Sequence, residues 1–175
     1  MRTMLFAGVL LAGLGSAVAA EEKGTAVDLD GLTSTAPAAW VKESPSNRMR
    51  YLQFRLPKVK GDTEDAELVI FKGLGGSADD NIVRWKRQFT PPGGKVTQIK
   101  IGGHQAALLD ADGTYGFNPA PFNPASKTIA RPNYRMLAVH FDGPKDVYHI
   151  KLTGPAKTVA HYKKGFDTWL EGFKK

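Results

Sequence analysis

The stretch from Tyr134 to Thr153 constrains the fold more than any other part of the chain. Tyr134 to Phe141 and Val147 to Thr153 each read as a strand, and Asp142-Gly143-Pro144-Lys145-Asp146 between them has turn composition. Opposed residues on antiparallel strands share a face, so the apolar pattern selects one register. Pairing Asp142 with Val147 opposes Phe141 to Tyr148, Val139 to Ile150 and Leu137 to Leu152, a face made wholly of apolar and aromatic side chains. The other face then carries Met136 opposite Thr153, Ala138 opposite Lys151 and His140 opposite His149. A slip of one residue would set Val139 against His149 and spoil the match. The hairpin therefore needs an apolar partner on one side.

The end of the chain offers that partner. Val159, Tyr162, Phe166, Trp169 and Phe173 recur at steps of three and four, one apolar stripe on a helix running from about Val159 to Phe173. Lys163, Lys164, Asp167 and Glu171 fall away from it. Further strands are expected over Tyr51–Leu56, where Leu52, Phe54 and Leu56 share a face, and over Ala66–Phe71, an apolar run suited to cover on both sides. Lys95–Ile101 and Gln105–Asp110 read as two more, joined by Gly102-Gly103. Pro57 to Asp65 reads as a polar connection, and Gly113 to Pro132, rich in proline, asparagine and glycine, as one long loop. Strands, a helix, more strands and a closing helix predict a single α+β domain: an antiparallel sheet with helices packed on it.

At the front, Met1 to Ala20 has the layout of a secretory signal. Arg2 is its one charge, an apolar run spans Met4 to Leu14, and Ala17-Val18-Ala19-Ala20 supplies small residues for cleavage. The run is shorter than the roughly 20 apolar residues of a membrane helix, and no later stretch is long and apolar enough to span. The expected organisation is a signal peptide over 1–20, a flexible lead over 21–37 and one domain over 38–175. About 155 residues then remain, the size of one ordinary domain. The formal charge of +7 becomes about +6 without Arg2. The basic residues are scattered, which fits a soluble surface better than a nucleic-acid footprint. The chain has no cysteine, so disulfides, thiolate metal sites, cysteine nucleophiles and a lipid-anchor cysteine are all excluded.

Few residues carry chemistry. Gly75-Gly76-Ser77-Ala78-Asp79-Asp80 resembles a phosphate loop only in its glycines. The Lys-Ser/Thr pair is missing and two carboxylates would repel phosphate. Ser77 with Asp80 reads instead as a helix cap, with Ala78, Ile82, Trp85 and Phe89 on the buried face, Arg84, Lys86 and Arg87 outside, and Pro91-Pro92 as the stop. Asp62, Glu64, Asp65 and Glu67 lack the spacing of a calcium loop, and Asp110-Ala111-Asp112-Gly113 reads as a turn. No Gly-x-Ser-x-Gly elbow is present. The remaining metal idea is His140 with His149, two imidazoles on one sheet face. Zinc generally wants a third ligand, which only His104 or His161 could supply. Tyr115, Phe117 and Phe122, in the long loop, are the candidate partner-binding residues.

Several blocks together resemble a family of uncharacterised secreted bacterial proteins commonest in planctomycetes and related groups. They are "RYLQFRLPKVKGDTEDAELVIF", "GLGGSADDNIVRWKRQF", "DADGTY" and "PNYRMLAVHFDGPKDVYHIKLTGPAKTV". The order of elements is similar to the PsbP-like fold, an antiparallel sheet sandwiched between helices. That resemblance implies a binding or assembly module, as in extrinsic photosystem subunits and small bacterial lipoproteins, and brings no catalytic residues. The expected function is an exported, non-catalytic binding domain of the periplasm or envelope, its partner a protein or envelope ligand and not nucleic acid. No cofactor is expected. The alternatives are a metal-binding protein or metal-dependent enzyme built on His140 and His149, and a binder of acidic envelope polymers.

Overall fold

The computed structural model describes residues 23–120, 123 and 125–175; the expected signal peptide and Phe122 lie outside the described residues. A hairpin of β1 (Thr25–Leu29) and β2 (Leu32–Ala36) stands apart from an eight-stranded antiparallel sheet. The sheet runs in the order β3 (Val41–Glu43), β4 (Arg50–Leu56), β5 (Ala66–Lys72), β10 (Val147–Pro155), β9 (Ile129–Asp142) and β8 (His104–Phe117). The outer edge of β8 pairs with both β7 (Lys95–Ile101) and β6 (Phe89–Thr90). Two helices, α1 (Ala78–Lys86) and α2 (Ala156–Glu171), complete the domain.

The hairpin of β9 and β10 adopts the register that its apolar pattern selects. Phe141 faces Tyr148, Val139 faces Ile150, Leu137 faces Leu152 and His140 faces His149. The apolar face, with Phe54, Leu56, Leu68 and Ile70 from β4 and β5, lies under α2. Val159, Phe166, Trp169 and Phe173 of the helical stripe are buried there, and Tyr162 is partly so. Pro155 precedes α2 and supplies no side-chain cap. Asp62 takes over: its Oδ2 accepts from the Thr158 backbone N–H (2.9 Å) and hydroxyl (2.6 Å).

The loose lead expected over 21–37 is a correction. Residues Thr25 to Ala36 form the β1–β2 hairpin, with Val27, Leu29, Leu32 and Ala36 buried against α2. Asp30 (φ 56°) and Gly31 (φ 92°) make its two-residue turn, the left-handed pair that such hairpins require. Ser34 Oγ donates to the Trp169 carbonyl (2.8 Å), and Thr33 pairs with Lys174 beyond the helix. The hairpin thereby seals the end of α2.

The long loop expected over Gly113–Pro132 is a second correction. β8 continues to Phe117 and β9 begins at Ile129, so the connection shrinks to residues 118–128. The ladder shifts register between Gly113 and Tyr115. Pro132 and Asn133 (φ 57°) fall in that bulge, where Pro is tolerated because no ladder N–H is required of it. Asp110 and Asp112 accordingly lie in β8 and not in a turn. Asp110 receives both the Nε (2.8 Å) and the Nη2 (2.6 Å) of Arg135 across the strands.

Candidate functional site

The second face of the sheet is only half covered. Its register sets three lateral rows: Phe71–His149–His140–Ala107, then Val69–Lys151–Ala138–Leu109, then Glu67–Thr153–Met136–Ala111. Apart from His140, the β9 and β8 part of these rows is apolar and lies under α1, with Ile82 and Trp85 packed on Ala107, Leu109, Met136 and Ala138. Ser77 caps this helix by accepting from the Asp80 N–H (3.1 Å), which supports the structural reading of the glycine run. The helix ends at Lys86, earlier than the prolines suggest. Phe89 has left the helical face and pairs with Tyr115 in the sheet, and the Gly116 N–H donates to the Gln88 carbonyl (2.7 Å). The helix covers β8 and β9 and leaves β5 and β4 open.

Beyond the end of that cover lies a groove of about 870 Å³. Val69, Lys151 and Thr153 form its floor, Arg84 and Trp85 one wall, Tyr115, Phe117, Arg131 and Tyr134 the opposite wall, and Arg50 and Glu67 its far end. The second wall is the β8–β9 extension. Tyr115 stacks on Tyr134 (ring centroids 6.0 Å apart), Phe89 backs Tyr115 (5.4 Å), and the Arg131 guanidinium lies 4.2 Å over the Phe117 ring. Glu64 anchors this wall from the β4–β5 connection, accepting from Arg131 (2.7 Å) and from the Tyr134 hydroxyl (2.7 Å). A shallower hollow of about 450 Å³ lies on the α2 side, between that helix and β2, and gathers no cluster of charges.

Lys151 is the distinctive group of the groove. Its ammonium donates to Gln88 Oε1 (3.0 Å), the one acceptor it meets among the described residues. Burial, then the neighbouring charges of Arg84 and Arg50, lower its pKa to about 8, against a smaller opposing pull from Glu67. Arg50 is held by Glu67 (2.5 Å) and Gln53 (2.8 Å). Arg84, exposed at the rim and not merely solvated on the outer face, is held by the Oδ1 of buried Asn81. Burial raises the Tyr115 pKa, with a further contribution from Glu67.

The structure separates the three partner-binding candidates. Tyr115 and Phe117 belong to β8 and line the groove; Phe122 is outside the described residues. His140 and His149 are brought together, buried, with His140 Nδ1 and His149 Nε2 3.2 Å apart. Asp142 Oδ1 lies 3.3 Å from the other nitrogen of His140. The His149 and Trp85 rings meet in a T-shaped pair (centroids 5.3 Å apart). Burial, followed by His140, Arg84 and Lys151, lowers the His149 pKa to about 4, so the ring is neutral at pH 7. His104 contacts Phe141 and His161 contacts Tyr162, both on the α2 side, so neither joins the pair. Among the described residues no three His, Cys, Asp or Glu side chains gather in a metal-binding group.

The acidic cluster likewise disperses: Asp62 caps α2, Glu64 holds Arg131, Asp65 pairs with Arg55 (3.0 Å) and Glu67 with Arg50. Sequence reading missed Lys151 and Arg50 as site residues. The signal for Lys151 was present in the hairpin register, which placed a lysine opposite Ala138 on an otherwise covered face.

No protein-family model matches the sequence, and no curated protein matches it. Solved structures do. Cyanobacterial PsbP (CyanoP) of Synechocystis is similar at 13% identity and a TM-score of 0.52, covering 92% of this chain and 96% of its own. A protein of unknown function from Pseudomonas aeruginosa matches at 20% identity and a TM-score of 0.45, covering 85% of this chain and 94% of its own. The domain has the PsbP-like α+β fold. At these identities the likeness concerns the fold alone.

Proposed function

We propose that this protein is an exported, non-catalytic binding or assembly domain whose ligand or partner sits in the groove beside α1. The observation that carries the reading is the half-covered sheet face. Its floor, walls and far end combine a lysine, three arginines and the four aromatic side chains of Trp85, Tyr115, Phe117 and Tyr134 in one concave surface, the mix that recognition sites present. Tyr115 and Phe117 are the contact residues on the β8–β9 extension, the aromatic arm of the groove. Export rests on the signal-like layout of Met1 to Ala20 and on the resemblance to secreted planctomycete-type proteins; no helix among the described residues is long and apolar enough to cross a membrane. Affinity capture of the mature chain from its native envelope tests the proposal. A partner retained by the parent and lost by Phe117→Ser, with an unchanged thermal midpoint, is expected. Capture that survives Phe117→Ser would refute this placement.

A second reading, metal binding by His140 and His149, draws support from the 3.2 Å approach of two ring nitrogens. The same approach satisfies both rings by a mutual hydrogen bond, and the pair offers two donors where zinc sites use three or four. Metal content of the captured sample distinguishes the readings. Stoichiometric metal that disappears in His140→Ala/His149→Ala would favour the second.

A further inference from the structure

The charges around the groove do not balance. Asp65 and Glu67 are the acidic lining residues, and each is already paired, with Arg55 and Arg50 respectively. Arg131 is paired with Glu64. Among the described residues, neither Lys151 nor Arg84 has a carboxylate within salt-bridge distance. Both are instead held by neutral amide oxygens, of Gln88 and of Asn81. Those amides aim the cations without neutralising them. Asn81 is itself fixed from below, its Nδ2 donating to the Ser77 carbonyl (2.9 Å). A partly buried ammonium on the floor and an exposed guanidinium on the rim thus line one cavity, and the attraction of the partly buried ammonium for an anion is stronger than in open water. Apolar and aromatic surface adjoins them: Trp85, only 2% exposed, on the helix wall, with Tyr115, Phe117 and Tyr134 opposite.

We infer that Lys151 and Arg84 form the anion-binding end of this groove, and that its occupant is a small planar organic anion. The carboxylate or phosphate would lie between the two cations, and the flat apolar body against the aromatic arm. This inference takes the groove as the binding site of the preceding reading and adds the ligand's chemistry. Lys151 contributes as a compact charge and Arg84 as a planar fork suited to two-oxygen contacts. Arg50, tied to Glu67, flanks the site and reinforces the field. An occupant the size of a bicyclic aromatic anion is well within about 870 Å³.

Binding should also be linked to protons. The groups facing the Lys151 ammonium are Arg84 from α1, Arg50 from β4, Glu67 from β5, Tyr115 and Tyr134 from the arm, and neutral His149 on its own strand. With the cations dominating, Lys151 gives up its proton from about pH 8. A bound anion holds that proton on, so affinity should fall as pH rises from 8 towards 10, and binding in that interval should take up protons.

The experiment uses the isotope-labelled mature chain, followed by amide chemical shifts and titration calorimetry. Its probes are 1-naphthyl phosphate, 1-naphthoate, neutral 1-naphthol and inorganic phosphate. Saturable shifts in Trp85, Tyr115 and Lys151 with one or both aromatic anions are expected, and the two anions separate phosphate from carboxylate preference. Affinity should drop about tenfold or more in Lys151→Met and in Arg84→Gln. Equal affinity for 1-naphthol, absence of saturation by either aromatic anion at millimolar concentration, or inorganic phosphate binding as tightly as both would overturn the inference. So would undiminished binding in Lys151→Met; should that variant fail to fold, Arg84→Gln at the exposed rim decides. The two proposals fail separately. A captured partner lost in Phe117→Ser with no anion bound would leave the binding domain standing, and anion binding without a captured partner would leave this site standing.

Discussion

The two faces of the central sheet belong to the same strands and yet follow opposite rules. Under α2 the surface is a continuous core of Phe54, Leu68, Ile70, Leu137, Val139, Phe141, Tyr148, Ile150 and Leu152, closed at one end by the β1–β2 hairpin. Under α1 the apolar area is smaller, rich in alanine, and gives way within two strands to His149, Lys151 and Glu67. The difference lies in the cover: α2 packs on β9, β10, β7 and β2, and α1 on β9 and β8. The 16 residues of α2 are about 24 Å long, while the nine of α1 are about 13 Å. One face stores stability and the other leaves room for a site. Substitutions on the two faces should therefore differ in kind: loss of folding on the first, and on the second altered titration or binding with the fold retained.

The largest effect is expected from Trp169→Ala. This ring sits at the junction of α2 with the hairpin and contacts Trp40 (5.3 Å), Phe166 (6.1 Å) and Phe173 (5.1 Å). Its truncation should cost about 3–5 kcal/mol in urea unfolding. A loss below about 1 kcal/mol would show that the α2 face is not the stabilising one.

The next effect belongs to the other face and depends on pH. His149 in the unfolded chain binds a proton near pH 6.5, but in the fold not until about pH 4. Between those values the unfolded state holds more protons, so stability falls as the pH drops from 6.5 towards 4. Above 6.5 the penalty is absent. The loss is on the order of 3 kcal/mol for this group. Equilibrium unfolding across that window should show a shallower pH slope in His149→Gln than in the parent; parallel slopes would remove His149 as the source.

A smaller effect should come from the connection between β4 and β5. Asp62→Ala removes the carboxylate that stands in for an N-cap on α2 and should cost about 1 kcal/mol, measured by thermal midpoint. Because it weakens the α2 face alone, the shifts that anions produce in the groove should persist.

This division between faces was half legible in the sequence. The apolar stripe of the last helix and the matched pairs of Phe141 with Tyr148 and Val139 with Ile150 announced the α2 face, because periodicity reports apolar burial directly. The β1–β2 hairpin carried a usable signal in Asp30-Gly31 between two short alternating runs, but five-residue strands of mixed polarity are too brief for periodicity to separate from coil. The arm was hidden for a different reason. Pro132, Gly113 and Gly116 punctuate Tyr115, Phe117 and Tyr134 as a loop would, and only the bulge that absorbs Pro132 lets the strands continue. The groove itself could not be read at all. It exists because α1 covers β8 and β9 while the sheet beneath continues to β4, a tertiary arrangement that no local pattern encodes.

Lys151→Met gives the finest test of the comparison. A lysine among Arg84 and Arg50, partly buried on a sheet face, is a charge the fold holds at a cost. In the parent, the folded state releases the proton from about pH 8 and the unfolded chain only near 10.5, so stability rises through that interval and the full penalty applies below it. Methionine keeps an apolar stem between the register partners Val69 and Ala138 without the charge. The variant should therefore be as stable as the parent at pH 7 or more stable by on the order of 1 kcal/mol, and should lose the rise between pH 8 and 10.5. A lysine retained against stability is what a binding face would carry and a core face would not. Destabilisation by Met at pH 7, with the alkaline rise intact, would instead mark Lys151 as part of the packing and make the two faces alike.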